Sequence, residues 1–245
     1  MDALTTAAAS GLRARMESLE MLANNLANAE TGGYKVDREF YNLYVAPEAA
    51  DASPFPTTVP LIEKPWTDFS QGMIKPTDNP LDLALSGKGF FAVQGPSGPL
   101  YTRNGNFKIS PAGVLTAAEG YPVRTSGGGQ LRLQAGKPVE VDVSGVVRQD
   151  GQVVGSLEIV DFPQSVPPAK QGNNYFRNPD PAVTPKPAAG VEVQQGKLES
   201  SNVGPAESAV RLVSVMRQFE MLQKALAVGA DMNRKAVQDV ARISS

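Results

Sequence analysis

The chain has 245 residues, enough for one large domain or one domain with extended arms. Lys and Arg number 23 against 25 Asp and Glu, a net charge of −2 that gives no global attraction to nucleic acid or anionic lipid. The absence of Cys excludes disulfides, thiolate nucleophiles and cysteine metal sites, and the absence of His excludes a Ser-His-Asp triad and the common zinc-enzyme sites.

The chain opens on Met1-Asp2-Ala3-Leu4, which is acidic and has no apolar core before Arg13, so no cleaved secretory leader is expected. No run approaches about 18 uninterrupted apolar residues, so no membrane insertion is expected either. Residues 4–28 lack Pro and are rich in Ala, Leu, Met, Glu and Arg, which predicts a helix. Ala8, Leu12, Leu19, Leu22 and Leu26 share one stripe spaced in threes and fours, interrupted by Arg15. Asn28, Thr31, Gly32 and Gly33 supply its stop.

Residues 46–60 carry Pro47, Pro54, Pro56 and Pro60 and read as an extended linker. From 80 to 162 the texture is β-prone, with runs at Leu81–Leu85, Phe90–Gln94, Leu100–Arg103, Val139–Val143, Val146–Arg148 and Leu157–Val160. Turn signals such as Asn104-Gly105-Asn106 and Asp150-Gly151 separate them, which predicts an irregular antiparallel sheet or barrel-like domain. The prolines crowded between 163 and 190 predict a rigid surface excursion in preference to core.

Residues 206–243 again lack Pro. Ala209, Leu212, Met216, Phe219, Leu226, Ala230, Val237 and Val240 continue in steps of three and four, with Gln223 and Asn233 in the polar gaps. Ser200, Ser201 and Asn202 are cap candidates, and Pro205 suits a first turn. The expected organisation is therefore α+β: an N-terminal helical arm (1–35), an extended linker region (36–75), a β-rich domain (76–195) with its Pro-rich excursion (163–190), and a C-terminal helical arm (196–245). Two heptad-like arms some 170 residues apart can return to one side of the β domain. Ordering long helices on a narrow apolar seam is marginal for an isolated pair, which favours packing with arms of neighbouring copies over simple docking.

Candidate chemistry is sparse. Gly87-Lys88-Gly89 is followed by strand-like Phe90-Phe91-Ala92-Val93 where a dinucleotide loop needs a helix, so the glycines predict a hairpin and no cofactor. Asp78, Asp82, Glu158 and Asp161 are the carboxylates of which a glycosidase would need to bring two together in one cleft, but nothing pairs them in sequence. No catalytic residue and no metal ligand set is assigned. Trp66, the sole Trp, defaults to packing.

Three segments together resemble the rod, hook and basal-body family of bacterial flagellar axial proteins. The first is Ala23-Asn24-Asn25-Leu26-Ala27-Asn28-Ala29-Glu30-Thr31-Gly32-Gly33-Tyr34-Lys35. The second joins Pro80-Leu81-Asp82-Leu83-Ala84-Leu85 to Gly87–Val93 and Tyr101-Thr102-Arg103-Asn104-Gly105-Asn106-Phe107. The third is Gly196-Lys197-Leu198-Glu199-Ser200-Ser201-Asn202-Val203 with Glu207 and Arg217-Gln218-Phe219-Glu220-Met221. Within the family, the short length and the Arg217-Gln218-Phe219-Glu220 run look most like the proximal-rod branch, the distal rod and hook being the nearest alternatives.

The resemblance implies a structural protein without catalysis, exported unfolded by the flagellar type III apparatus. It also implies partners among copies of itself and other rod and hook proteins, and polymerisation in the periplasm into a hollow drive shaft. The implied assembly interface takes in Leu12, Leu19, Leu22, Asn24, Asn25, Leu26, Asn28, Thr31, Gly33 and Tyr34 of the first arm, and Leu212, Met216, Phe219 and Leu226 of the second. Asn24, Asn25, Asn28 and Thr31 suit helix-end capping, with buried amides also fixing register between neighbouring helices.

Overall fold

The computed structural model describes residues 3–39, 41–45, 58–62 and 65–243. These divide into two compact units: a helical one built from Met1–Asn28, Val36–Asp68 and Val203–Ser245, and a β unit built from Ala29–Lys35 and Phe69–Asn202. The class is α+β, but the division runs through the expected arms and linker. Residues 29–35 and 196–202 belong to the β unit, and 36–68 to the helical one.

In the helical unit, helix α1 (Ala3–Ala27) packs along helix α2 (Pro205–Ile243). At 1.5 Å per residue, the 25 residues of α1 run about 38 Å and the 39 of α2 about 58 Å. The buried positions of α1 are Ala14, Ser18, Leu22 and Asn25, with Gly11 half-buried beside them, so Leu22 of the expected leucine stripe is buried. Leu12, Leu19 and Leu26 flank it, half-buried. Small residues on this side bring the helices close: a methyl group on Gly11 would sit 3.7 Å from Leu222 Cδ1. On α2 the half-buried positions are Leu212, Val215, Phe219, Leu222, Leu226 and Gly229, again in threes and fours. Met216, expected in this seam, is exposed, because its neighbour Val215 takes the inward position. The side chains of Ala8, Val237 and Val240 lie outside the described residues.

Between the helices in sequence, Tyr41–Val45 pairs antiparallel with Thr58–Ile62, and Asp37–Arg38 pairs with Trp66–Thr67. The expected linker is thus stranded at both ends, and its residues 46–57 lie outside the described residues. Trp66 is half exposed and fills no core. Helix α2 starts at Pro205, as its fixed φ favours, but Gly204 takes the residue-before-helix position: its carbonyl accepts the Ser208 N–H at 2.9 Å. Ser200, Ser201 and Asn202 lie two to four residues before Gly204.

The β unit is antiparallel throughout its paired strands. Its largest sheet has six strands in the order 169–172, 175–177, 98–102, 90–95, 159–161, 186–187. A three-stranded meander (139–141, 146–149, 152–156) and short pairs such as 83–86 with 192–195 and 74–76 with 197–199 complete it. Period-two alternation sends Leu83, Leu85, Phe91, Val93, Phe107 and Val193 into one core, and Phe90, Ala92, Tyr101, Val160 and Phe176 into a second on the other face of the sheet. Phe91 is fully enclosed and meets Phe107 edge-to-face at 5.2 Å.

Two expectations are corrected here. Gly87-Lys88-Gly89 is no hairpin: the strand before it pairs with 192–195 and the strand after it with 98–102 and 159–161, so the glycines, at φ 108 and 144, carry the chain from one sheet to another. The Pro-rich stretch 163–190 is largely exposed, as expected, but it is more than an excursion. It supplies three strands of the main sheet and buries Tyr175 and Phe176. Pro187 is tolerated because its strand is the outermost, where a missing N–H leaves no ladder bond unmade. Phe91→Ala is expected to cost about 3–5 kcal/mol in the β unit by cavity formation, read as a lowered urea midpoint with unchanged slope.

Candidate functional site

The three segments that carried the family resemblance meet in the β unit around one carboxylate. Glu199 and Lys35 have fully buried side chains and Arg103 is almost fully buried. Lys35 Nζ donates to Glu199 Oε1 at 2.6 Å, and Arg103 Nη1 donates to Glu199 Oε2 at 3.2 Å. Each oxygen therefore faces its own cation, and the Gly72 N–H adds a third bond to Oε1 at 2.9 Å. The cations are satisfied in turn by main-chain oxygens: Lys35 by Ser70 at 2.7 Å, and Arg103 by Gly87 at 2.6 Å. Burial alone pulls the Arg103 guanidinium below its ordinary pKa, and the Glu199 charge pushes back. Arg103 also lies 5.5 Å from the centre of the Phe90 ring.

Main-chain bonds hold the same segments around this centre. The Gly33 N–H donates to the Glu199 carbonyl at 2.7 Å, and the Asn202 N–H to the Tyr34 carbonyl at 3.3 Å. Gly33 stands at φ 68, and a Cβ there would collide with the Arg103 main chain, so both conformation and space require glycine. Tyr34 is buried under the Lys170 ammonium, 4.3 Å from the ring centre, while Lys170 donates to the Lys35 carbonyl at 2.6 Å. Asn174 Nδ2 donates to the Gly32 carbonyl at 2.6 Å.

The arm residues expected at an interface fall into both units. In the helical unit, Asn25 is buried, and its amide clamps one residue of its own chain: Nδ2 donates to the Asp37 carbonyl at 2.8 Å and Oδ1 accepts the Asp37 N–H at 3.0 Å. Asn24 is exposed, and Asn28 closes the helix end by donating from Nδ2 to the Asn24 carbonyl at 2.9 Å. In the β unit, the Thr31 carbonyl accepts the Tyr34 N–H at 3.2 Å. Leu12, Leu19, Leu22 and Leu26 share the helical unit with Leu212, Phe219 and Leu226.

The four carboxylates considered for catalysis have structural partners or turn geometry. Asp82 is buried and accepts from Asn106 Nδ2 at 2.9 Å and Asn79 Nδ2 at 3.1 Å. Glu158 pairs with Arg124 at 2.7 Å, Asp161 accepts its neighbour's N–H from Phe162, and Asp78 sits in a turn at φ 57. Among the described residues, no group of three or more acidic side chains is placed to hold a metal. Likewise, no described helix is long and apolar enough to cross a membrane.

Sequence reasoning quoted Lys35, Arg103 and Glu199 within motifs but assigned them no role. The available signal was that each is a charge set among Gly, aromatic and Ser/Asn residues, where a solvated surface charge has no need of such company.

Residues 6–35 match the family described as flagella basal body rod protein. Residues 84–155 match the flagellar hook protein FlgE/F/G D1 domain, and 194–239 the flagellar basal body rod FlgEFG protein C-terminal family. The flagellar basal-body rod protein FlgF of Caulobacter vibrioides is 35% identical over 92% of this chain and 93% of its own length. FlgG of the same organism is 31% identical over 95% and 97%. FlgF of Salmonella typhimurium is 30% identical over 83% and 84%.

Glu199→Gln leaves two buried cations without an anion and is expected to cost about 3–5 kcal/mol in the β unit. Adding Lys35→Met should cost less than the sum of the single changes in an equilibrium-unfolding cycle. Asn25→Leu strands both main-chain groups of Asp37, for about 1–3 kcal/mol, read as faster hydrogen exchange at Asp37 with the β unit's unfolding midpoint unchanged.

Proposed function

This chain belongs to the flagellar basal-body rod proteins, and on that premise we propose that it polymerises through its terminal helices into the hollow shaft of the rod. It is a structural axial subunit of the flagellar basal body. We place it in the proximal rod, with other rod and hook proteins as axial neighbours and no catalytic role. Passage to the periplasm through the flagellar type III apparatus is the export route this reading implies.

One observation carries the proposal. Helix α2 keeps a long apolar side in solvent although it is already paired with α1: Val210 is 71% exposed, Met221 61%, Val228 59% and Met232 66%. Exposed apolar side chains on a helix contribute nothing to the stability of a lone subunit, and burying them against other copies removes that surface from water. Coiled-coil-like packing between the arms of successive copies would do so with the three-and-four spacing both helices carry. The β unit differs in having two enclosed cores of its own, although Met73, Val143 and Val153 stay exposed on it.

Hydrogen exchange on the purified chain and on assembled rods tests this. Amides of 3–27 and 205–243 are expected to exchange quickly in the lone chain and slowly in rods, while those of Phe90–Gly95 are protected in both. Equal protection of the helices in the two states would show that assembly adds nothing to them, and the proposal would fall.

A further inference from the structure

Two unlike faces of the helical unit are complementary in shape and charge, and we infer that the outer side of α2 in one copy docks on the outer side of α1 in a second. This rests on the rod-subunit reading and specifies which surfaces meet. On α2, Val210, Val213, Arg217, Met221, Lys224 and Val228 follow in steps of three and four, and all are exposed. The bulk of this stripe is branched or long apolar side chains, and its two charges, Arg217 and Lys224, are both cationic, two turns apart.

On α1, Ala9, Arg13, Met16, Glu20, Ala23 and Ala27 follow in the same spacing and are equally exposed. This stripe is the converse of the first. Its alanines leave depressions where Val and Met side chains of a neighbour fit, as small residues already do between α1 and α2 within the chain. Its charge is acidic: Arg13 is taken up by Glu17 at 3.2 Å, which leaves Glu20 over. Glu20, Arg217 and Lys224 have no ion-pair partner among the described residues. A third mismatch lies beside the α2 stripe, where Gln218 Oε1 is buried from solvent without a donor.

The two stripes are different surfaces, so a contact between them is heterologous. Each copy that docks leaves one α1 face and one α2 face open for the next, and growth does not close on a dimer. Two α2 stripes meeting each other would instead set Arg217 and Lys224 against like charges, which electrostatic complementarity disfavours.

The absence of native Cys makes the pairing directly readable. Basal bodies are isolated from cells producing one chain with Ala23→Cys and a second, differently sized by a tag, with Met221→Cys, and are then oxidised. Disulfide dimers containing one chain of each size are expected, and single-variant preparations should give at least about tenfold less dimer. Dimers formed by Met221→Cys chains alone, or no mixed dimer at all, would overturn the inference.

Charge reversal gives an independent reading at exposed positions that the fold does not use. Arg217→Glu with Lys224→Glu is expected to reduce basal-body yield by about tenfold, and adding Glu20→Lys to restore a large part of it. Yield unmoved by the reversal would place the contact elsewhere while leaving the rod-subunit reading intact. Cells lacking the chain that still build complete rods would instead remove that reading, and this inference with it.

Discussion

The structure depends on a single buried carboxylate shared by two cations. Glu199 comes from near the C-terminal end of the β unit, Lys35 from its N-terminal segment and Arg103 from its central sheet, so one side chain ties together segments 164 and 96 residues apart. Desolvating three charges costs several kcal/mol per ion, and the geometry offsets this only because almost every donor and acceptor is satisfied by a second partner. The result contributes less to net stability than to uniqueness. In this position residues 29–35 give Lys35 an anion and Gly33 a carbonyl to bond, both supplied by Glu199.

That uniqueness bears on what the β unit can transmit. The chain enters or leaves this unit after residues 28, 35, 68 and 202. Lys35, Ser70 and Asn202, each bonded into the cluster or one step from it, stand within two residues of three of these crossings. On the β side the Lys35 bond to the Ser70 carbonyl is charge-assisted and sheltered from salt screening, and Asn202 Nδ2 adds a neutral, exposed bond to the same carbonyl. For a shaft subunit this is a useful place for rigidity, since any load passing along the chain between units passes through those few residues.

The sequence made the two long helices legible almost to the residue, because absence of Pro and the spacing of apolar positions are local signals. It also made the main strands between 80 and 162 legible. Three things resisted it, each for a physical reason. The inward face of α1 includes Leu22 of the leucine stripe but is centred beside it, since leucines mark apolarity while close helix packing is set by Gly11, Ala14 and Ser18, where the small size of the side chain is what matters. The strands at 169–177 and 186–187 were hidden by prolines, whose tolerance depends on an edge position that only the tertiary pairing defines. The ion cluster was invisible because no local pattern announces that a lysine, an arginine and a glutamate this far apart share one site.

A consequence of that split concerns how assembly specificity divides between the two units. The β unit turns Lys35, Arg103 and Glu199 inward and closes two apolar cores, leaving few large apolar side chains such as Met73, Val143 and Val153 outside. The helical unit does the reverse: its inner seam uses small and modest apolar side chains, while valines, methionines and unpaired charges stay outside. A subunit built so has a β unit with cores of its own and a helical unit whose outer apolar side chains are left for a neighbour to cover. Premature association is then limited by the heterologous nature of the contact, which gives a lone pair of copies one interface and a growing end, through repetition, many.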